Sequence, residues 1–224
     1  MKIGNVLRAF GREVLILLAF GGTLTYMTVP DLVVSLKPAV SFEELLSEDG
    51  KEIKPGSHVA GNVVYALDYF ASESTYTRRQ DGSRSGDRRS GNYYLIPTAG
   101  NYVALKSRQA DVEILNQLSE ESFNYLITGE EPPKTEFYVE GKVELLEDKL
   151  VKYFREYLED LGFEKEDIDS LGEPLVIRYV NFTAVRVMAV IGVVLLLLAG
   201  LLYRRRYRLE TRGSGLRRAE DLPG

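Results

Sequence analysis

The feature that most constrains this chain is a pair of apolar runs placed near its two ends. Between Glu13 and Asp31 lie seventeen residues without a charge, VLILLAFGGTLTYMTVP. As a helix rising ~1.5 Å per residue they reach ~26 Å, against a hydrocarbon core of ~30 Å. The second run, Ala184 to Tyr203, carries a single charge, Arg186, two residues in, where a long side chain can reach the headgroups. RRRYR follows it directly. Helices of soluble cores are rarely apolar all round, so both runs read as membrane-spanning, over residues 14–30 and 184–203. For the first run a cleaved signal peptide stays open, with Lys2, Arg8 and Arg12 as its basic region and Thr23 and Thr25 near the cleavage point, although no Ala-x-Ala site is present.

Lysine and arginine counts in the flanks set orientation. Three basic residues precede the first run and only Lys37 lies in the twenty after it; seven follow the second, against Lys165 and Arg178 before it. Residues 1–13 and the basic tail 204–224 are therefore expected in the cytoplasm, and residues 31–183 form one extracytoplasmic domain. The tail beyond Tyr207 is expected to be irregular. Asp31 to Thr183 holds 29 acidic and 17 basic residues, while the whole chain nets only -5. An acidic middle between basic ends excludes a nucleic-acid binder and suits a protein whose first partner is the lipid bilayer.

Within the domain, Thr135 to Leu145 alternates, with Phe137, Val139, Gly141, Val143 and Leu145 on one face and charged residues on the other, which predicts a half-buried strand. A second long strand is expected from Val59 to about Tyr76. Shorter ones are expected at Tyr93–Ile96, Tyr102–Lys106 and Leu175–Val180, punctuated by Pro97, Gly100 and Pro174. Leu150, Tyr153, Phe154, Tyr157, Leu158 and Leu161 predict a helix over 148–161, closed by Gly162 and Phe163 in a Schellman ending. Another helix is expected within 111–127. The fold class is α+β: a mostly antiparallel sheet with two or three helices, flanked by two transmembrane helices.

The segments KPGSHVAGNVVYALDYF, DGSRSGDRRSGNYYLIPT and PPKTEFYVEGKVELLEDKLVKYFREYL, enclosed by two apolar helices, resemble a family of functionally uncharacterised two-pass membrane proteins of Gram-positive bacteria, Clostridia especially. The resemblance spans most of Lys54 to Arg206. It implies a bacterial cell membrane as the setting and supplies no catalytic or binding residues.

Catalytic motifs are scarce. Zero cysteine excludes disulfides and thiolate chemistry, and one histidine excludes H-E-x-x-H. No phosphate loop, dinucleotide fingerprint or nucleophile elbow occurs, so no catalytic residue, cofactor or metal ligand is assigned. His58, at the start of a strand, is expected to be structural or solvent-facing. Asp167-x-Asp169 with Gly172 has the beginning of a calcium loop, but Leu171 and Arg178 stand where oxygen ligands are needed, which leaves a solvated acidic turn. Glu43-Glu44, Glu120-Glu121 and Glu130-Glu131 read as exposed charge. One stretch departs from the acidic surroundings: TRRQDGSRSGDRRSG, Thr77 to Gly91, carries Arg78, Arg79, Arg84, Arg88 and Arg89 against two aspartates. Glycine and serine make it a flexible hairpin tip, either a solvated loop or a contact for anionic lipid heads, an anionic surface polymer or an acidic partner.

Two function classes follow. The first is a binding, scaffold or sensor module at the cell surface, working with other membrane proteins or a surface polymer. The second is a membrane-anchored hydrolase using carboxylates or a Ser-Lys pair. An accessory subunit of a transporter complex is a third, with Ala19-x-x-x-Thr23 and Gly21-x-x-x-Thr25 offering close helix contacts.

Overall fold

The computed structural model describes residues 10–48, 52–129 and 131–220; the side chains of 210 and 212–220 lie outside the described set. Two compact units emerge, one of residues 34–181 and one of the two long helices.

In the helical unit, α1 is Arg12–Ser35 and α6 is Phe182–Glu220. Both are long and apolar enough to cross a membrane. Two threonines of α1 satisfy their hydroxyls within the helix: Thr25 Oγ1 donates to the Gly21 carbonyl and Thr28 Oγ1 to that of Leu24, both at 2.8 Å. Such back-bonding lets a polar residue sit in an apolar helix. The two helices approach closely at Gly21 and Thr25, since a Cβ on Gly192 would lie 2.6 Å from Thr25 Oγ1. Near the far end of the pair, Phe10 meets Tyr203 at 4.9 Å between ring centroids and Arg206 Nη2 donates to Glu13 Oε2 at 2.5 Å. The expected irregular tail is instead helical to Glu220. RRRYRLETR, residues 204–212, contains no helix breaker, Thr211 Oγ1 folds back on the Tyr207 carbonyl, and the helix continues through Gly213 and Gly215.

The second unit is α+β. Its elements in chain order are α2 (Phe42–Leu46), β1 (His58–Asn62), β2 (Tyr69–Thr75), β3 (Arg88–Thr98), β4 (Asn101–Lys106), α3 (Val112–Thr128), β5 (Tyr138–Leu145), α4 (Asp148–Asp160), α5 (Lys165–Ser170) and β6 (Leu175–Tyr179). One six-stranded sheet runs β1-β5-β6-β4-β3-β2. It is mixed: β4 pairs with β6 in parallel and the other four pairings are antiparallel. Helices number four in this unit and six in all among the described residues, more than the two or three expected. The additional ones are short. Ser41 and Glu44 form a reciprocal capping box that starts α2, a signature visible as S-F-E-E.

The long strand expected from Val59 to Tyr76 is in fact two strands at opposite edges of the sheet. Residues 63–68 carry the chain across, held by the Val63 amide on the Phe137 carbonyl (2.9 Å), the Leu67 amide on the Leu95 carbonyl (2.7 Å) and the Ala66 amide on Ser122 Oγ (3.2 Å). Apolar spacing alone could not reveal this break, because Val63, Tyr65, Leu67 and Tyr69 keep the period of two through it.

Two apolar layers sandwich the sheet. On one face Tyr94, Ile96, Val103, Leu105 and Ile177 pack with Leu115 and Leu118 of α3 and with Phe42 and Leu45 of α2. On the other, Tyr93, Leu95, Ala104 and Val176 pack with Leu150, Phe154 and Leu158 of α4 and Ile168 of α5. Strand β3 therefore buries both faces and reads as a continuous run, whereas β5 buries Val139, Gly141 and Val143 and turns Glu140, Lys142 and Glu144 the other way. Helix α4 ends as its sequence indicates: the Phe163 amide bonds the Leu158 carbonyl at 3.1 Å and the Gly162 amide that of Glu159 at 2.9 Å, the two bonds of a Schellman motif. The Phe163 ring then meets Tyr102 edge-on.

Candidate functional site

The five arginines singled out in the sequence occupy the end of the β2–β3 hairpin. Strand β3 starts earlier than its apolar run, so Arg88 and Arg89 are strand residues opposite Thr75 and Ser74. Beyond them the chain does not open into a flexible loop. It continues as a narrow ribbon in which Arg78 and Arg84 stand directly opposite each other. The Arg79 amide donates to the Ser83 carbonyl (2.8 Å) and the Ser85 amide to that of Thr77 (2.9 Å). Gly82, at φ 85°, closes the turn in the left-handed conformation that three-residue hairpin loops require. Asp81 braces the same turn, accepting from the Ser83 amide at 2.9 Å and its hydroxyl at 2.6 Å; these bonds hold the Asp81 carboxyl below its ordinary range.

All five arginines are exposed. Arg84 lies over the Tyr76 ring at 4.8 Å and reaches Asp87 at 3.5 Å. Among the described residues the guanidinium groups of Arg78, Arg79, Arg88 and Arg89 have no carboxylate partner. Most other cations of the unit are paired with carboxylates. Lys106 is paired with Glu73 (3.0 Å), Arg108 with Asp111 (2.7 Å), Arg155 with Asp169 (2.6 Å), and Lys142 and Arg178 share Glu144 (2.9 and 3.0 Å). Like charges directly opposite in a ribbon are destabilising by a few tenths of a kcal/mol, on the order of 0.2–1. An anion lying across Arg78 and Arg84 would relieve that.

The other polar features have structural roles. His58 is 6% exposed, with Nδ1 3.1 Å from the Lys37 carbonyl and Nε2 3.2 Å from Glu140 Oε1. Asp167 and Asp169 lie on α5, not on a ligand-holding loop, and Asp169 is taken by Arg155. Two glutamates expected as plain exposed charge do more. Glu44 closes the α2 cap, and Glu121 accepts from the Lys134 and Thr135 amides, the Thr135 hydroxyl (each 2.8 Å) and Gln117 Nε2 (2.9 Å). The Gln117 and Thr135 bonds lead in lowering the Glu121 carboxyl to about 2. Glu130 lies outside the described residues; Glu131 pairs with Lys134.

A groove of about 540 Å³ escaped the sequence reading. It lies where the 63–68 crossing segment passes the flanks of α3 and α4, so its residues come from three separate stretches that no linear pattern connects. The nearest signal is Ser119, which with Ser122 places a hydroxyl among the leucines on the buried side of α3.

Comparison with known proteins gives one match. The model of a domain of unknown function, DUF8577, matches residues 6–204. No curated protein and no solved structure matches the chain.

Proposed function

We propose that this chain, which belongs to the family of the domain of unknown function DUF8577, is a two-pass membrane protein that presents its α+β unit outside the cytoplasm as a binding module. The unpaired arginines of the β2–β3 ribbon carry the reading. A unit that pairs most of its other arginines and lysines leaves these exposed on an ordered projection, and from Arg78 to Asp87 the ribbon has no apolar side chain. Contact there is by charge and hydrogen bonding with a hydrated anionic surface, Arg78 and Arg84 offering planar forks to one phosphate or carboxylate.

The membrane setting has independent support. Side chains along both long helices face outward, among them Phe20 (66% exposed), Val190 and Leu197 (63% each), which in water would be an untenable apolar surface. The excess of lysine and arginine before α1 and after the apolar part of α6 favours both termini in the cytoplasm.

The test uses the full chain in nanodiscs of neutral lipid with labelled polyphosphate as the anionic probe. Binding at low salt is expected, and it should disappear when Arg78, Arg79, Arg84, Arg88 and Arg89 are replaced by serine. It should also disappear in 1 M salt, where the Debye length has fallen to ~3 Å. Binding that survives both changes would refute the ribbon's role.

A further inference from the structure

We infer that the groove between the crossing segment, α3 and α4 is a second binding site, built for a small organic ammonium with an apolar stem. Its walls are mixed in a particular way. Leu67, Phe123 and Leu161 supply apolar surface, and Asp68 and Glu120 place a carboxylate on either side, one from the crossing segment and one from α3. Phe123 is 56% exposed and Leu161 43%, so this surface is open to a ligand and not spent on the core.

The buried end of the groove supplies the observation that separates it from a dent in the surface. Ser119 is 8% exposed and lines the groove, yet among the described residues its hydroxyl has no hydrogen-bond partner. Ser122, one turn along α3, shows the usual solution: its hydroxyl donates to the Leu118 carbonyl at 2.7 Å and accepts from the Ala66 amide. Buried hydroxyls are normally satisfied in this way, and among the described residues no buried side-chain nitrogen or oxygen lacks a partner, so the Ser119 hydroxyl is open to the groove. Ser119 does not fold back and keeps its bonding capacity for the groove. Asn116, beside it, accepts from the Tyr94 hydroxyl at 2.5 Å through Oδ1. Tyr157 adds a ring whose phenol is pushed above its ordinary pKa, first by burial and then by the charge of Asp68, so it stays neutral beside that carboxylate.

Charge decides the ligand class. Neither Asp68 nor Glu120 is paired with a cation among the described residues; Asp68 Oδ1 accepts only from the Tyr69 amide, at 2.7 Å. The segment around them is acidic, which raises the local concentration of cations and repels carboxylates. A primary ammonium fits: its three N–H donors suit two carboxylates and the Ser119 oxygen, while methylenes cover Leu67, Phe123 and Leu161. A free amine and a lysine side chain share this chemistry.

The experiment is a saturation-transfer and calorimetric titration of the full chain in nanodiscs. Pentylammonium is the probe, its isostere pentanol the control, and empty nanodiscs are subtracted. Nα-acetyl-lysine methylamide forms a second arm that reports whether a lysine side chain also enters. Pentylammonium should bind with a dissociation constant below about 10 mM, and pentanol at least about tenfold more weakly, a difference of ~1.4 kcal/mol. Asp68→Asn with Glu120→Gln should weaken pentylammonium by a similar factor while circular dichroism stays unchanged, and Ser119→Ala should weaken it further. Serine at the five ribbon arginines should have no effect, which keeps this site distinct from the ribbon. Equal binding of pentanol, or an unaltered titration in the carboxylate double variant, would overturn the assignment. No binding of either ammonium at about 10 mM, an energy under ~3 kcal/mol, would overturn it as well.

Discussion

Gly141→Ala should destabilise the 34–181 unit although it adds one methyl group. Gly141 sits inside β5, with Val59 of β1 opposite on one side and Tyr179 of β6 on the other. A Cβ built there would lie 2.3 Å from the Arg178 carbonyl oxygen, 2.9 Å from its carbon and 3.3 Å from Tyr179 Cα. Ordinary contact begins about 1 Å farther out, so β5 and β6 must part at the centre of the sheet. Backbone atoms cannot rotate away as a side chain would, and β1 on the far side limits retreat. Overpacking of this kind costs about 1–3 kcal/mol, offset by about 0.4–1 kcal/mol from the lower entropy of the unfolded chain. A net loss of about 1–2 kcal/mol is avoided only if the strands relax freely; for a domain of this size it lowers Tm by ~2–8 °C. Gly141→Asp adds burial of an unpaired carboxylate and should lose several kcal/mol more. Gly86→Ala is the control, because nothing lies within 4 Å of its Cβ and its φ is not positive. Thermal unfolding of the full chain in detergent, followed by near-ultraviolet dichroism of its tyrosines, reads the 34–181 unit, which holds most of them. Equal Tm values for Gly141→Ala and Gly86→Ala would refute the reasoning.

Three further outcomes are expected. Glu121→Gln should reduce acid sensitivity: the native carboxyl, held at about 2, contributes stability that is complete above the unfolded value of ~4.3 and lost as pH falls toward 2. Melting curves at pH 7 and pH 3 should therefore diverge less in the variant than in the parent, and equal divergence would exclude the role given to Glu121. Leu158→Ala, at a fully buried position of α4, should cost about 2–5 kcal/mol by denaturant titration. Gly192→Leu should separate α1 from α6 and lower the yield of a cysteine cross-link between positions 10 and 203, whose rings are 4.9 Å apart in the parent.

Much of the fold is legible where a segment's burial follows one simple rule. Strand β5 buries one face, so its alternation marks its position, and α4 buries one stripe and ends on Gly162 and Phe163. The β4 and β6 strands were readable from their bounding turns. Legibility failed where burial is two-sided or the chain changes direction. Val63 and Ala66 pack into the core beside Leu115 and Leu118 while their amides bond Phe137 and Ser122 in place of a strand partner, so their pattern imitates a strand. The parallel β4–β6 pairing depends on which strands meet after α3, β5, α4 and α5, information that no local spacing carries. The arginine ribbon was visible as composition, but its order was not: the Asp81–Ser83 brace and the Thr77–Ser85 bonds convert a glycine- and serine-rich stretch into a projection. The groove was invisible because Asp68, Ser119 and Leu161 are distant in sequence.

The membrane arrangement underlies the proposed function, and a chain without cysteine allows a direct measurement of it. Ser83→Cys places a thiol on the exposed ribbon, and Thr211→Cys places one on the part of α6 that follows its apolar stretch. On intact cells a membrane-impermeant maleimide should label Ser83→Cys and spare Thr211→Cys, with Thr211→Cys reacting fully once the membrane is opened. Equal labelling of both on intact cells, or labelling of Thr211→Cys alone, would contradict a binding unit held outside the cytoplasm between two membrane-spanning helices.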